Sequence, residues 1–255
     1  MKEIMVTGHS LPEAYHKALC ALSEEGIAAG VPDYQTTQKE LSMTMVVLSP
    51  LAEPMISRCF IGGARDLEQY RQEILDGILD SEIALGNWDY TYHSRMSEQI
   101  DFIVDELRRN PESRRAVIDI RDWKTDIQKD SPACLQHIQY FIRGGRLHCK
   151  VLFRSNDAPK ASFMNAFALI MLQKRFADRL QVQIGSYTHR ANSYHVYEKD
   201  FPLLSGFVSR IKSGGEVTYD YMGDWDAQME EAKAEIDVFV KARFMKAEKD
   251  TAGLS

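Results

Sequence analysis

LQHIQYFIRGGRLHCKVLF, residues 135–153, decides the fold class of this chain. Two runs of strand-forming residues flank Gly144-Gly145, and a two-residue Gly-Gly connection supplies the positive φ that a tight hairpin turn requires. The stretch reads as a β-hairpin. The residues that follow, 161–180 (ASFMNAFALIMLQKRFADRL), carry apolar side chains around nearly the whole helical circumference, the pattern of a buried helix. Residues 182–197 return to β character. Two paired strands, a buried helix and a further strand predict an α/β (α+β) fold.

Towards the N-terminus, residues 10–29 open with Ser-Leu-Pro and space Ala14, Ala18, Leu19 and Leu22 as a helix does. Residues 41–49 (LSMTMVVLS) and Val117–Ile120 read as strands. Residues 66–84 and 97–110 alternate charged and apolar positions as amphipathic helices. A charged amphipathic helix is expected from Asp224 to Lys249. There is no repeat, low-complexity tract or linker, so residues 1–255 are expected to form a single domain.

Hydrophobic residues make up 44% of the chain, enough for a substantial core. The net charge of -6 argues against a general DNA or membrane-surface binder, so an anionic ligand must meet a local basic cluster. No apolar run reaches the roughly 18 residues that would span a bilayer, and MKEIMVTGHSLPEAYHKAL lacks the core of a signal peptide. Cys20, Cys59, Cys134 and Cys149 are therefore expected as reduced thiols in a cytoplasmic protein.

Three clusters do not look like fold maintenance: Ser131-Pro132-Ala133-Cys134, Arg154-Ser155-Asn156-Asp157 and Ser193-Tyr194-His195-Val196-Tyr197. A cysteine after Pro-Ala is by itself more often structural. Arg154 changes that, because it leaves the second hairpin strand, whose partner begins beside Cys134. An arginine near a thiol favours the nucleophilic thiolate. Ser155, Asn156 and Asp157 put polar groups ahead of a helix N-terminus, where anions bind. Cys134, His137, His148 and Cys149 have superficially ligand-like spacing. On strands their side chains point to opposite faces, so no metal site is expected.

The ordered set Asn110-Pro111-Glu112-Ser113-Arg114-Arg115, Pro132-Ala133-Cys134 with Gln139, Arg154-Ser155-x-Asp157, Asn165 and His195-x-Tyr197 resembles the catalytic half of thymidylate synthases. It also resembles that of the related phage deoxycytidylate hydroxymethylases. The resemblance covers residues 110–197 and implies a thymidylate synthase-like mixed β-sheet around a long central helix, assembled through its sheet as a homodimer. It further implies a transferase that uses 5,10-methylenetetrahydrofolate as cosubstrate and dUMP as substrate. Cys134 would attack C6 of the pyrimidine and make C5 nucleophilic. Arg154 and Ser155 would hold the phosphate, joined by Arg114 and Arg115 from the partner subunit; guanidinium forks suit phosphate oxygens. Gln139 belongs to the substrate-binding set. Asp157 would orient base and folate, Asn165 would read the uracil edge, and His195 with Tyr197 would bind the sugar hydroxyl. Upstream, Glu53-Pro54 resembles the catalytic glutamate that moves protons through water, and Tyr92 the tyrosine near C5.

Some features depart from the synthases. The N-terminal Arg-Thr-Gly loop is missing, Asn87-Trp88-Asp89-Tyr90 differs from their tryptophan-rich motif, and the chain ends FMKAEKDTAGLS, a charged tail expected to fray rather than an apolar seal. A poorer seal admits water, which favours hydroxymethylation. The reading leans to dTMP formation. Its alternatives are a dUMP hydroxymethylase and a non-catalytic nucleotide-binding homologue.

Overall fold

Gly144 and Gly145 take φ of 56° and 72°, the left-handed pair that closes a tight hairpin. They join β6 (Leu135–Arg143) to β7 (Arg146–Asp157), which pair antiparallel. This computed structural model describes residues 1–252, with side chains up to residue 245, so the end of the charged tail lies outside the described residues.

The chain opens with β1 (Glu3–Gly8), α1 (Leu11–Glu25), β2 (Ile27–Val31), β3 (Thr36–Val47) and β4 (Ile56–Ser57). Next come α2 (Ala64–Asp76), a single turn α3 (Ser81–Ala84), α4 (Tyr92–Arg109), β5 (Val117–Asp119) and a second short turn α5 (Trp123–Asp126). After the hairpin follow α6 (Ser162–Leu180), β8 (Gln183–Tyr197), α7 (Phe201–Lys212), β9 (Thr218–Tyr219) and α8 (Asp226–Ala252).

Seven strands form one mixed sheet in the order β1-β3-β8-β7-β6-β5, with β2 also on β3. Strands β1 and β3 run parallel, as do β7 and β8, while the other pairs are antiparallel. One face of the hairpin supplies Ile138, Tyr140, Leu147, Cys149, Val151 and Phe153 to the core. Against it lies α6, which buries Phe163, Phe167, Leu169, Ile170, Leu172 and Phe176. Gln173, fully buried in the same helix, donates through Nε2 to Leu147 O at 2.7 Å and so pins α6 to the sheet. A buried amide must find such a partner or lose its hydration uncompensated.

Several boundaries differ from the sequence reading. The helix expected over 10–29 ends at Glu25, because Ile27–Val31 pairs with β3 instead. The helix expected over 66–84 breaks after Asp76, where Gly77 takes φ 65° and ends it in the left-handed conformation. Strand β1 and helix α7 were not foreseen. Among the described residues no helix is long and apolar enough to cross a membrane.

Candidate active site

Register along the sheet assembles the three polar clusters. Leu135 pairs with Phe153, which sets Cys134 beside Arg154, and the Arg154 amide donates to Cys134 O at 2.8 Å. Across the parallel pair β7–β8, Ser155 sits opposite Ser193 and Asp157 opposite His195. Helix α6 starts just after β7, and Asn165 in its first turn faces back over the strand ends. Tyr92, Cys134, Arg154, Ser155, Asp157, Asn165, His195 and Tyr197 thereby line one cleft of about 850 Å³.

Cys134 is half-buried, with Sγ 3.6 Å from Ser155 Oγ. The Arg154 side chain wraps the turn before it. Nε donates to Ala133 O (3.1 Å), one terminal nitrogen to Pro132 O (2.8 Å) and the other to Ser155 Oγ (3.4 Å). These bonds fix the guanidinium plane at the mouth of the cleft next to the thiol. Tyr92, at the start of α4, accepts the Leu135 amide at 3.4 Å, and burial holds its phenol protonated.

Asp157 accepts the Lys160 amide at 3.1 Å, and burial raises its carboxyl above the usual carboxylate range. Burial pushes the imidazole of His195 the other way, below its ordinary value, because the charged form is the one penalised in both. The ring of His195 meets Tyr197 edge-on with centroids 4.9 Å apart. Asn156 turns inward beneath the cleft: its Oδ1 lies 2.9 Å from His189 Nε2, and His189 Nδ1 lies 2.9 Å from Tyr187 Oη.

Four residues singled out in the sequence lie elsewhere. Glu53 is the first of them. It is exposed and outside the cleft, and its carboxylate accepts the amides of Met55 (2.8 Å), Tyr221 (2.9 Å) and Met222 (3.0 Å). Two of these amides lie just ahead of α8, so Glu53 ties its own loop to that segment. Arg114 and Arg115 are exposed on the approach to β5, where Arg115 pairs with Glu106 at 2.9 Å. Gln139 donates to Arg114 O at 2.9 Å. Among the described residues no cluster of three His, Cys, Asp or Glu side chains could hold a metal ion.

Other residues of the cleft had no signal in the sequence. Tyr70 of α2 bonds through its hydroxyl to Asn165 Oδ1, across 95 positions of chain. Asp33 and Tyr34 enter from the β2–β3 connection. A smaller cavity of about 200 Å³, lined by Glu73, Trp88 and Tyr90, shares Tyr70 and Tyr92 with the cleft.

A family model described as thymidylate synthase matches residues 64–223. The chain belongs to the thymidylate synthase family. A Methanocaldococcus jannaschii protein named "Putative thymidylate synthase" is 30% identical over 213 residues, covering 78% of this chain and 93% of that protein. Thymidylate synthase 1 of Bacillus subtilis is 28% identical over 147 residues, 56% of this chain and 51% of its own length. The solved structure of thermostable thymidylate synthase A from Bacillus subtilis superposes with a TM-score of 0.63 over 78% of this chain and 84% of that one, at 17% identity, so it speaks to the fold. Members of the family are folate-dependent one-carbon transferases that bind dUMP and use methylenetetrahydrofolate as cosubstrate.

Proposed function

We propose that this chain transfers a one-carbon unit from 5,10-methylenetetrahydrofolate to C5 of dUMP and releases dTMP. The observation that carries the reading is the cleft itself. A half-buried thiol, a fixed arginine, a serine hydroxyl and a base-facing amide converge there from three separate stretches of chain.

Cys134 Sγ adds to C6, which turns C5 into an enamine-like carbon able to attack the one-carbon donor. Arg154, already oriented by two main-chain carbonyls, offers its remaining N–H groups to the phosphate together with Ser155 Oγ. His195 and Tyr197 share the sugar hydroxyl, while Tyr92, beside Leu135, borders the C5 side. Asp157, whose carboxyl is raised above the usual carboxylate range by burial, orients base and folate. The aromatic cavity next to Tyr92 offers flat surface for a fused-ring cosubstrate.

Charge supports a homodimer. The cleft of one chain is lined by Asp33, Asp130 and Asp157 against Lys129 and Arg154, and Lys129 is paired with Asp89 at 2.5 Å. A dianionic phosphate needs further cations. Arg114 and Arg115, exposed and outside their own cleft, supply them to a second subunit, with Gln139 holding the Arg114 backbone. All four cysteines are free thiols, in keeping with a cytoplasmic setting.

Product mass tests the reading. Incubation with dUMP and methylenetetrahydrofolate should give dTMP with a rise in dihydrofolate absorbance, and 5-fluoro-dUMP should label Cys134 covalently. A product heavier than dTMP by one oxygen would turn the reaction into hydroxymethylation. Absence of both turnover and labelling would refute catalysis.

A further inference from the structure

We infer that Tyr70 sets which pyrimidine the cleft accepts, by locking the side-chain amide of Asn165 in one of its two orientations. The inference rests on the nucleotide reading above and adds a specificity-determining residue to it.

A primary amide presents a donor on one side and an acceptor on the other, and a half-turn about its terminal bond exchanges them. Asn165 is 6% exposed, and its Oδ1 receives the hydroxyl of Tyr70. Among the described residues that is the only hydrogen bond of the Tyr70 hydroxyl, and Asn165 Nδ2 makes none. Desolvation by burial keeps the phenol protonated, so it remains a donor throughout the working pH range.

With the amide as placed, Nδ2 is the free donor in the cleft. It suits O4 of uracil, and the second lone pair of Oδ1 suits N3–H. Turning the amide to suit cytosine would give Oδ1 to the exocyclic amine and Nδ2 to N3. Nδ2 would then also face the Tyr70 oxygen, and the half-buried hydroxyl proton, covered by the bound base, would lose its acceptor. A donor shut off from water by the bound base and left without an acceptor is costly, so the hydroxyl of Tyr70 opposes the cytosine orientation without touching the base. The contact joins α2 to α6 through the core, which makes the lock part of the scaffold.

Tyr70→Phe removes the hydroxyl and keeps the ring. Equilibrium binding of dUMP and dCMP and their kcat/KM values should be compared in the wild type and this variant, with a melting curve on each. The wild type should prefer dUMP. In Tyr70→Phe the dUMP-to-dCMP ratio should fall by about tenfold, mainly through tighter dCMP binding. An unchanged ratio, or equal weakening of both nucleotides, would overturn the lock. Should Tyr70→Phe fail to fold, Tyr70→Leu also deletes the hydroxyl and carries the same expectation. If the wild type binds neither nucleotide, the proposed substrate itself is wrong, which is a separate outcome and also ends this inference.

Discussion

Acid should destabilise this protein through His189 before any carboxylate acts. His189 is fully buried, stacks on Phe153 at 4.7 Å, and burial lowers its pKa to about 3 from the ordinary 6.5. The unfolded chain takes up the proton near pH 6.5, whereas the folded protein resists until near pH 3. Stability is therefore full above 6.5 and lost as the pH falls through that window. One pH unit of such a gap is worth about 1.4 kcal/mol. At pH 5 the solution lies about 1.5 units below the unfolded value, so His189 alone should cost about 2 kcal/mol. His16, lowered to about 4 by its own burial, adds a similar loss, and the raised carboxyls of Glu73 and Asp157 oppose it. A variant separates the terms. His189→Gln retains an amide donor for Asn156 but cannot take up a proton. Urea unfolding at pH 7 and pH 5 should show the wild type losing about 2 kcal/mol more than the variant between the two. Equal losses would refute the claim that a neutral buried imidazole supports the floor of the cleft.

Other expectations are shorter to state. Asn165→Asp should move kcat/KM from dUMP towards dCMP by roughly tenfold to a hundredfold, because a protonated carboxyl matches the cytosine edge; an unchanged ratio would mean Asn165 only packs α6. Chains carrying Arg114→Ala and chains carrying Cys134→Ala should each be inactive yet regain activity when mixed, since one composite site per heterodimer is intact. No recovery in demonstrated heterodimers would put Arg114 outside the site. Glu53→Gln should lower the melting temperature by a few degrees, because one acceptor oxygen becomes an NH2 group and at least one of the Met55, Tyr221 and Met222 amides loses its partner, while kcat changes by less than about tenfold. A hundredfold fall in kcat at unchanged melting temperature would return Glu53 to the chemistry.

The hairpin, α6 and β8 were legible because each rests on local rules: Gly-Gly closes the turn, and apolar periodicity separates the buried helix from the strands. The break after Asp76 was written in the sequence as Gly77 but was masked by the amphipathic pattern running across it. The expected helix over 10–29 runs into β2 at residues 27–29 because the β character there comes from pairing with β3, and local sequence carries no record of a partner.

The sequence by itself determined the chemical vocabulary of the site. Cys134, Arg154, Ser155, Asp157, His195 and Tyr197 stood out as three polar clusters, and the family resemblance added Asn165 and a role for each. Tertiary structure decided which groups meet. It brought Tyr70 to Asn165 and Asn156 to His189, contacts separated by 95 and 33 positions, and it tied Glu53 to amides 168 and 169 positions away. The physical reason is that side-chain periodicity is short-ranged, repeating every two residues in a strand and about 3.6 in a helix. Sheet register and helix docking act between distant segments, and only the packed core fixes them.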